Sequence, residues 1–132
     1  MSIYYVTADM LYGAIMRYCR KAVLMTQLEA SIYYGFSIRY YSRYERGLLP
    51  IPTLYLEMAA ELGKHTPTEH LHHLDNIYAL LRTQSISITH GICTTGSCLL
   101  PPRELNLIVS LAARAMYVQT LAKSKTQKQT GV

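Results

Sequence analysis

The stretch of this chain whose residue pattern indicates its structure most specifically is residues 13–47, GAIMRYCRKAVLMTQLEASIYYGFSIRYYSRYERG. Thr26 is placed to cap a short amphipathic helix, and Gly35 is placed to end it. Ser37 is placed to cap a second short helix, which finishes in the string SRYERG at residues 42–47. The stretch therefore predicts two short helices joined by a tight turn at a glycine.

Apolar residues before and after this stretch recur at three- and four-residue spacing, which predicts further helices. Thr7 is placed to cap a helix that begins near Ala8 or Asp9 and whose apolar stripe runs from Leu11 to Ala22. Beyond Pro50 and Pro52, Thr53 is placed to cap a helix that ends with Gly63 at its C′ position. The positions expected to face inward in this helix are Leu54, Met58, Ala59 and Leu62.

The second half of the chain predicts two more helices. Thr66, Pro67 and Glu69 have the spacing of a capping box, and Pro101 and Pro102 begin the last helix. The expected inward positions are Leu71, Leu74, Ile77, Tyr78 and Leu81 in the first of these, and Leu105, Ile108, Val109, Ala112, Ala113 and Met116 in the second. Residues 2–6 are β-prone, and Ile86 and Ile88 alternate with polar residues as in a short strand.

We predict an all-α fold from this pattern, a bundle of four to five helices with an added C-terminal helical oligomerisation segment. The expected units are residues 7–64, a helical extension over residues 65–122 that is a candidate for dimerisation, and a disordered polar tail over residues 123–132. The chain has 132 residues, half of them apolar, with twelve Tyr and no Trp. Such a length suits one domain, or one small domain with an oligomerisation element.

Composition also limits the location of the protein. No apolar run approaches the roughly 18 residues of a membrane span, and no basic segment precedes the apolar start as in a signal peptide. Three Cys without an export signal predict reduced thiols, so we expect a cytoplasmic protein with no membrane partner.

The net charge of +5 is unevenly distributed. Residues 1–63 contain six Lys and Arg against five Asp and Glu, whereas residues 64–132 contain seven against three. Lys123, Lys125 and Lys128 supply most of that excess. A nucleic-acid function must therefore be inferred from the motif, because the overall charge alone does not indicate one.

Residues 10–63 resemble the Xre/Cro-type helix-turn-helix family, the class of phage repressors and many small bacterial regulators. The matching positions are Gly13, Arg17, Arg20, Ala22, Thr26, Gln27, Glu29, Gly35, Ser37 and the string SRYERG at 42–47. Leu24 stands where the family usually has Gly, in the turn before the second helix. The resemblance implies a repressor-like bundle that binds double-stranded DNA sequence-specifically, as a homodimer on a palindromic operator.

The resemblance also implies which residues contact DNA. The expected base-reading positions, on the outward side of the third helix, are Ile38, Arg39, Ser42 and Arg43. Tyr40 is expected to lie towards the DNA backbone or a base edge, while Tyr41 and Tyr44 point inward. Candidates for phosphate contact are Gln27 and Ser37, followed by Arg46, Lys21 and Thr26. The alternative for Arg39 and Arg43 is that they are ordinary solvated charges.

Arg20 and Glu45 have a structural role in the family, where these two positions commonly form a partly buried salt bridge. The resemblance therefore implies that this pair links the first helix to the end of the third. We expect removal of either partner to destabilise the fold by about 3–5 kcal/mol, because the other charge would remain buried alone.

Metal sites and catalysis are not predicted. His65, His70, His72 and His73 lack a Cys or carboxylate at ligand spacing, so we expect these side chains to be solvated. His90, Cys93 and Cys98 supply at most three ligands, and a Cys93–Cys98 disulfide would need oxidation. No nucleophile–base arrangement or nucleotide-binding glycine pattern is present, which predicts a protein that is not an enzyme and has no cofactor.

The C-terminal helices have more apolar residues than a small appendage needs. They either complete the core of the N-terminal bundle or form a dimer interface, and we favour dimerisation through the last helix. A different class of function is an antitoxin-type or other protein-interaction module, with residues 65–122 bound to a protein partner and an autoregulatory helix-turn-helix. A third is a degenerate helix-turn-helix that serves only as a scaffold.

Overall fold

The computed structural model describes residues 4–89 and 98–130, with side chains as far as Val118 in the last helix. Within these residues the helices are α1 Ala8–Ala22, α2 Gln27–Tyr34, α3 Ile38–Glu45, α4 Thr53–Leu62, α5 Pro67–Thr83 and α6 Pro102–Thr130. The strands are β1 Tyr4–Thr7, β2 Ser87–Thr89 and β3 Cys98–Leu99. None of the helices in the described ranges has the length and apolar character needed to cross a membrane.

The predicted helix starts are confirmed at four caps. The hydroxyl oxygens of Thr7 and Ser37 accept hydrogen bonds from backbone N–H groups three residues on, at 3.0 and 3.3 Å. Thr26 and Thr66 each form a complete capping box with a glutamate three residues later. The Thr53 cap was predicted wrongly: Thr53 is the first residue of α4, and the cap is Pro52, which makes no side-chain hydrogen bond.

The mostly helical structure agrees with the all-α prediction, to which it adds a short parallel sheet. β1 lies between β2 and β3 and is parallel to both, with Tyr5 opposite Ser87 and Leu99. The β-prone residues near the N-terminus and the alternation around Ile88 were both recognised in the sequence, but their pairing was not. The fold is therefore mostly helical with a three-stranded sheet formed by segments far apart in the chain.

One hydrophobic core joins the N-terminal and C-terminal helices. It includes Val6, Leu11 and Tyr41 from the first part of the chain together with Ile77 and Val109 from the second. The inward face predicted for α6 is buried at Leu105, Ile108, Val109, Ala112, Ala113 and Met116. These side chains complete the core within one copy of the chain, which is the other of the two roles considered for the C-terminal helices.

Several inward positions were predicted wrongly. Leu54 on α4 and Leu71 on α5 are exposed, although the other apolar positions predicted on these helices are buried or half-buried. Leu54 is the second residue of α4 and Leu71 is the fifth residue of α5, so both lie near the N-terminal ends of their helices. The prediction of a disordered tail from residue 123 also differs from the structure, in which α6 continues to Thr130.

Two of the four histidines expected to be solvated, His65 and His73, are buried. His73 is fully buried, and its Nε2 is 2.9 Å from the carbonyl oxygen of Val109 in α6. His65 is buried as well, with Nε2 3.1 Å from the Tyr117 hydroxyl. Buried imidazoles need polar partners, and here those partners lie on α6, more than thirty-five residues along the chain.

Candidate nucleic-acid interface

The two-helix unit predicted from residues 26–46 is present as α2 and α3. Gly35 has a left-handed backbone with φ of 80°, and the N–H of Phe36 donates to the carbonyl of Ser31 at 2.9 Å. This is the hydrogen-bond pattern of a Schellman motif, in which a residue without a Cβ is favoured. The turn redirects the chain so that α3 follows α2 after only Gly35, Phe36 and Ser37.

An aromatic cluster holds the inward face of α3. Tyr41 is fully buried, and its ring stacks on that of Tyr34 with centroids 5.7 Å apart. Tyr44 is half-buried against Phe36 at 5.0 Å, and Phe36 in turn meets the ring of Tyr55 in α4 at 4.6 Å. Aromatic pairs at these distances add stability beyond burial alone, and they set which side of α3 faces outward.

The predicted ion pair between Arg20 and Glu45 is confirmed and is buried. Nε of Arg20 donates to Oε2 of Glu45 at 2.6 Å and Nη2 donates to Oε1 at 3.1 Å, while Nη1 donates to the carbonyl of Met25 at 2.9 Å. The hydrogen bond to Glu45 raises the pKa of Arg20 above its usual value, against the opposing effect of burial. The pair therefore ties α1 to the end of α3 and to the α1–α2 connection.

Gln27 has fewer free hydrogen-bond donors for a phosphate contact than predicted. Its Nε2 donates to Oε1 of Glu45 at 3.2 Å, so one amide proton is engaged with the buried ion pair. The Glu29 carboxylate accepts from the N–H of Thr26 at 3.1 Å, and this hydrogen bond lowers the Glu29 pKa. The N-terminus of α2 thus already carries a negative charge, and its unsatisfied donors are reduced to the first two N–H groups of the helix.

The outward face of α3 exposes most of the predicted base-reading residues. Ile38, Arg39, Tyr40 and Arg43 are exposed, and Ser42 is half-buried. The Arg43 guanidinium lies over the Tyr40 ring, 5.9 Å from its centroid. Neither Arg39 nor Arg43 forms an ion pair or hydrogen bond with any residue that the structure describes. Ser37 and Arg46 are exposed at the two ends of the helix, while the exposed Lys21 lies in the last turn of α1 and the exposed Thr26 caps α2.

A cavity beside α3 brings in a residue for which the sequence analysis predicted no DNA contact. Its volume is about 420 Å³, and it lies between α1, α3 and the first turns of α6. Arg17 lines it together with Gln27, Ser42 and Arg46, all predicted contact residues. Arg17 is in register with the family pattern, but only the packing of α6 against α1 shows that it adjoins this surface.

Comparison of the chain with protein-family models, curated proteins and solved structures found no match. Among residues 4–89 and 98–130, no group of three or more His, Cys, Asp or Glu side chains is arranged to hold a metal ion. The three-ligand set and the disulfide, which were considered but not predicted, both involve Cys93, which lies outside the described residues. Cys98 is exposed and Cys19 is buried, and both are free thiols.

Proposed function

We propose that this chain is a transcriptional regulator of the Xre/Cro-type helix-turn-helix class that binds double-stranded DNA with α3 in the major groove. The observation that carries the proposal is the outward face of α3, where two exposed arginines stand one helical turn apart. Their guanidinium groups form no ion pair or hydrogen bond with the described residues, whereas the opposite face of the helix is held by the buried Tyr41 ring. A rigid helix with unpaired guanidinium groups is suited to reading base edges.

The side chains on this face match the chemistry of the major groove. Arg39 and Arg43 offer planar donor forks for O6 and N7 of guanine, and Ile38 offers an apolar contact for a thymine methyl group. Tyr40 and Ser42 add hydrogen-bonding hydroxyl groups beside them. Base discrimination is therefore assigned to α3.

Phosphate contacts are assigned to the rim of the same surface. Arg46 and Lys21 are exposed cations at the end of α3 and of α1, and Ser37 lies at the N-terminus of α3, where free N–H groups favour anions. Gln27 contributes through its remaining amide proton and the N–H groups of the first turn of α2. Arg17 joins this set through the cavity that it shares with Arg46.

The protein acts by binding rather than by catalysis, in the cytoplasm, as a homodimer on an operator with two half-sites. A single helix-turn-helix unit rarely supplies enough affinity for a specific site. Two units on one face of DNA require recognition helices about 34 Å apart, one turn of the double helix.

Arg43→Ala tests the base-reading role. We expect the variant to fold normally and to lose about 1–3 kcal/mol of discrimination between its best site and other sequences. The matched control is Arg82→Ala, because Arg82 is an exposed arginine at the end of α5, an element that packs on α4 and α6 rather than on α3. Competition binding with the selected site and with scrambled DNA measures both variants.

The site itself comes from selection of bound oligonucleotides out of a random pool. A palindromic consensus supports two half-sites. Full discrimination in Arg43→Ala, or equal losses in both variants, would refute the assignment of α3. Absence of binding at low salt, or binding with no salt dependence, would refute DNA binding altogether and leave the unit as a scaffold.

A protein-interaction function of the antitoxin type is the second candidate, supported by a groove between α4 and α5. The groove has a volume of about 380 Å³ and is lined in part by Ala60, Pro67 and the exposed Leu71. It lies within the 65–122 extension on one side, where a protein partner was predicted. Purification from the native host followed by mass measurement tests it: a second polypeptide in fixed stoichiometry favours this function, and its absence counts against it.

A further inference from the structure

α6 has a second apolar stripe on the side that faces away from the core. Leu107, Leu111 and Val118 are 58%, 40% and 61% exposed. They recur at four and seven residues, so they lie along one side of the helix. The opposite side carries the buried residues from Leu105 to Met116. α6 therefore has two apolar faces. Within one copy of the chain only the face with the buried residues is covered.

Two opposite charges stand at the edges of this stripe. Glu104 precedes Leu107 by three residues and Arg114 follows Leu111 by three, and both are exposed. At 3.6 residues per turn, these four side chains fall within about 80° of one another around the helix axis. Neither charge has an ion-pair partner among the residues that the structure describes. Each is therefore available to a second chain.

We propose that the outward stripe of α6 is an isologous dimer interface, in which α6 packs antiparallel against α6 of a second copy with its two-fold axis level with Val109. This register places Leu107 opposite Leu111 of the partner subunit and Glu104 opposite Arg114 of the partner subunit. Because a two-fold axis repeats each contact, one interface has two leucine pairs and two ion pairs. The symmetric placement of unlike charges is what selects a second copy of this chain as the occupant.

An exposed apolar stripe in the first half of the chain lacks such a self-complementary placement of unlike charges. Leu24, Leu28 and Ile32 are exposed along α2 and its preceding turn. A two-fold axis level with Leu28 would set Gln27 against Glu29 of the partner subunit and would make no ion pair. α2 therefore supplies a control surface with similar exposed side chains and no self-complementary charge.

The proposed dimer interface rests on the proposed function in one respect, because the second copy of the chain is what brings a second recognition helix to the operator. Pro102 and Asn106 in the first turns of α6 line the cavity that Ser42 and Arg46 of α3 also line. Pairing of the α6 helices thus brings two α3 helices towards a common axis. The pairing itself requires no DNA and is measured without it.

Charge reversal tests the proposed register. Glu104→Arg alone sets Arg against Arg twice per dimer, and Arg114→Glu alone sets Glu against Glu twice. We expect each variant to raise the dimer Kd by about tenfold or more in low salt. An equimolar mixture of the two variants restores both ion pairs in a heterodimer, so its Kd is expected to return close to that of the unmodified protein. Sedimentation equilibrium measures all four samples, and circular dichroism verifies that each variant is folded.

Ile32→Lys on α2 is the matched control, an exposed apolar residue whose change is expected to leave the dimer intact. The inference is overturned if the unmodified protein is a monomer, if either single variant stays as dimeric as the original, if the mixture does not recover, or if Ile32→Lys dissociates the dimer. DNA binding is measured separately. If the protein dimerises as predicted but does not bind DNA, the proposed function alone is refuted. If it binds DNA but fails the dimerisation tests, the proposed interface alone is refuted.

Discussion

Leu24 adopts a backbone conformation that its side chain disfavours. Its φ is 59°, and 90% of its surface is exposed in the connection between α1 and α2. The N–H of Leu24 donates to the carbonyl of Lys21 at 3.1 Å, and that of Met25 donates to the carbonyl of Arg20 at 3.1 Å. Leu24 is thus the C′ residue of a Schellman motif. The turn keeps the conformation that the usual glycine favours, although the residue type differs.

Leu24→Gly is expected to stabilise the protein by about 0.5–1 kcal/mol. The left-handed conformation is unfavourable for a residue with a Cβ by about 1–2 kcal/mol. Glycine removes this strain, but it also raises the entropy of the unfolded chain, which offsets part of the gain in stability. No buried contact is lost, because the side chain is exposed. Denaturant unfolding measures the change.

Leu28→Gly is the control for that variant. Leu28 is an exposed leucine inside α2, so glycine there is expected to destabilise by about 1 kcal/mol. Equal losses in the two variants would show that the left-handed turn carries no strain.

Helix termination follows one pattern along most of the chain. α1 to α5 each end in the pair of hydrogen bonds typical of a Schellman motif, around Leu24, Gly35, Gly47, Lys64 and Ser85. The prediction that Gly63 is the C′ residue of α4 is therefore wrong by one position, since Lys64 has φ of 61°. Gly63 has another role: a Cβ there would lie 3.2 Å from Sγ of Cys19, so its lack of a side chain permits α4 to approach α1.

Gly13 determines how closely α1 meets the end of α3. A Cβ at this position would lie against the backbone carbonyls of Tyr44 and Glu45, 2.7 Å from the oxygen of Glu45. Real Cβ atoms do not approach backbone oxygens so closely, so the end of α3 would have to move. Because Glu45 carries the carboxylate that pairs with Arg20, this movement would also disturb the buried ion pair.

Gly13→Ala is expected to destabilise the protein by about 1–3 kcal/mol, the usual cost of overpacking, although alanine favours helix by about 1 kcal/mol. Thermal or denaturant unfolding measures the loss. Asp75→Ala, at an exposed position inside α5, is the control and is expected to change stability little or to raise it. A Gly13→Ala protein as stable as the original would contradict the close approach.

At the scale of the whole molecule, a buried histidine cluster packs between α1, α5 and α6 and connects these helices. The His73 ring meets those of Tyr18 at 5.4 Å and His65 at 5.9 Å. Burial lowers the pKa of His65, His70 and His73. Glu69 and Glu57 oppose this for His65 and His70, and the hydrogen bond to Val109 opposes it for His73. The folded protein therefore favours neutral imidazoles at the α5–α6 junction.

Stability is expected to fall as the pH drops below about 6.5, the pKa of histidine in an unfolded chain. The unfolded state then binds protons that the folded state resists, so this contribution is fully present above that pH and is lost towards the lowered folded pKa values. Each histidine contributes up to about 1.4 kcal/mol per pH unit in that window. Urea unfolding at about pH 7 and pH 5.5 measures the slope, before most carboxylates titrate.

His73→Asn removes the titrating ring and shortens the side chain, so the hydrogen bond between Nε2 and the Val109 carbonyl is lost as well. We expect a less stable protein whose stability depends less steeply on pH. A pH slope in His73→Asn as steep as that of the original, or no slope in the original, would contradict the role of this cluster.

The sequence by itself determined what depends on a few neighbouring residues. Thr7, Thr26, Ser37 and Thr66 cap helices through bonds to groups three residues away, so a short string is enough to recognise them. The exposed face of α3 follows in the same way from helical periodicity. The Arg20–Glu45 pair spans twenty-five residues, and only resemblance to a family indicated it.

The tertiary structure alone decided what depends on distant partners. β1 pairs with strands more than eighty residues away, and local propensity cannot specify such a pairing. His73 is buried because α6 offers it a carbonyl, and Gln27 is held because Glu45 is near. α6 has two apolar faces in its sequence, and packing against α1 and α5 selected which one is buried. Burial is a property of the whole chain, because each surface is covered only by what the rest of the fold brings to it.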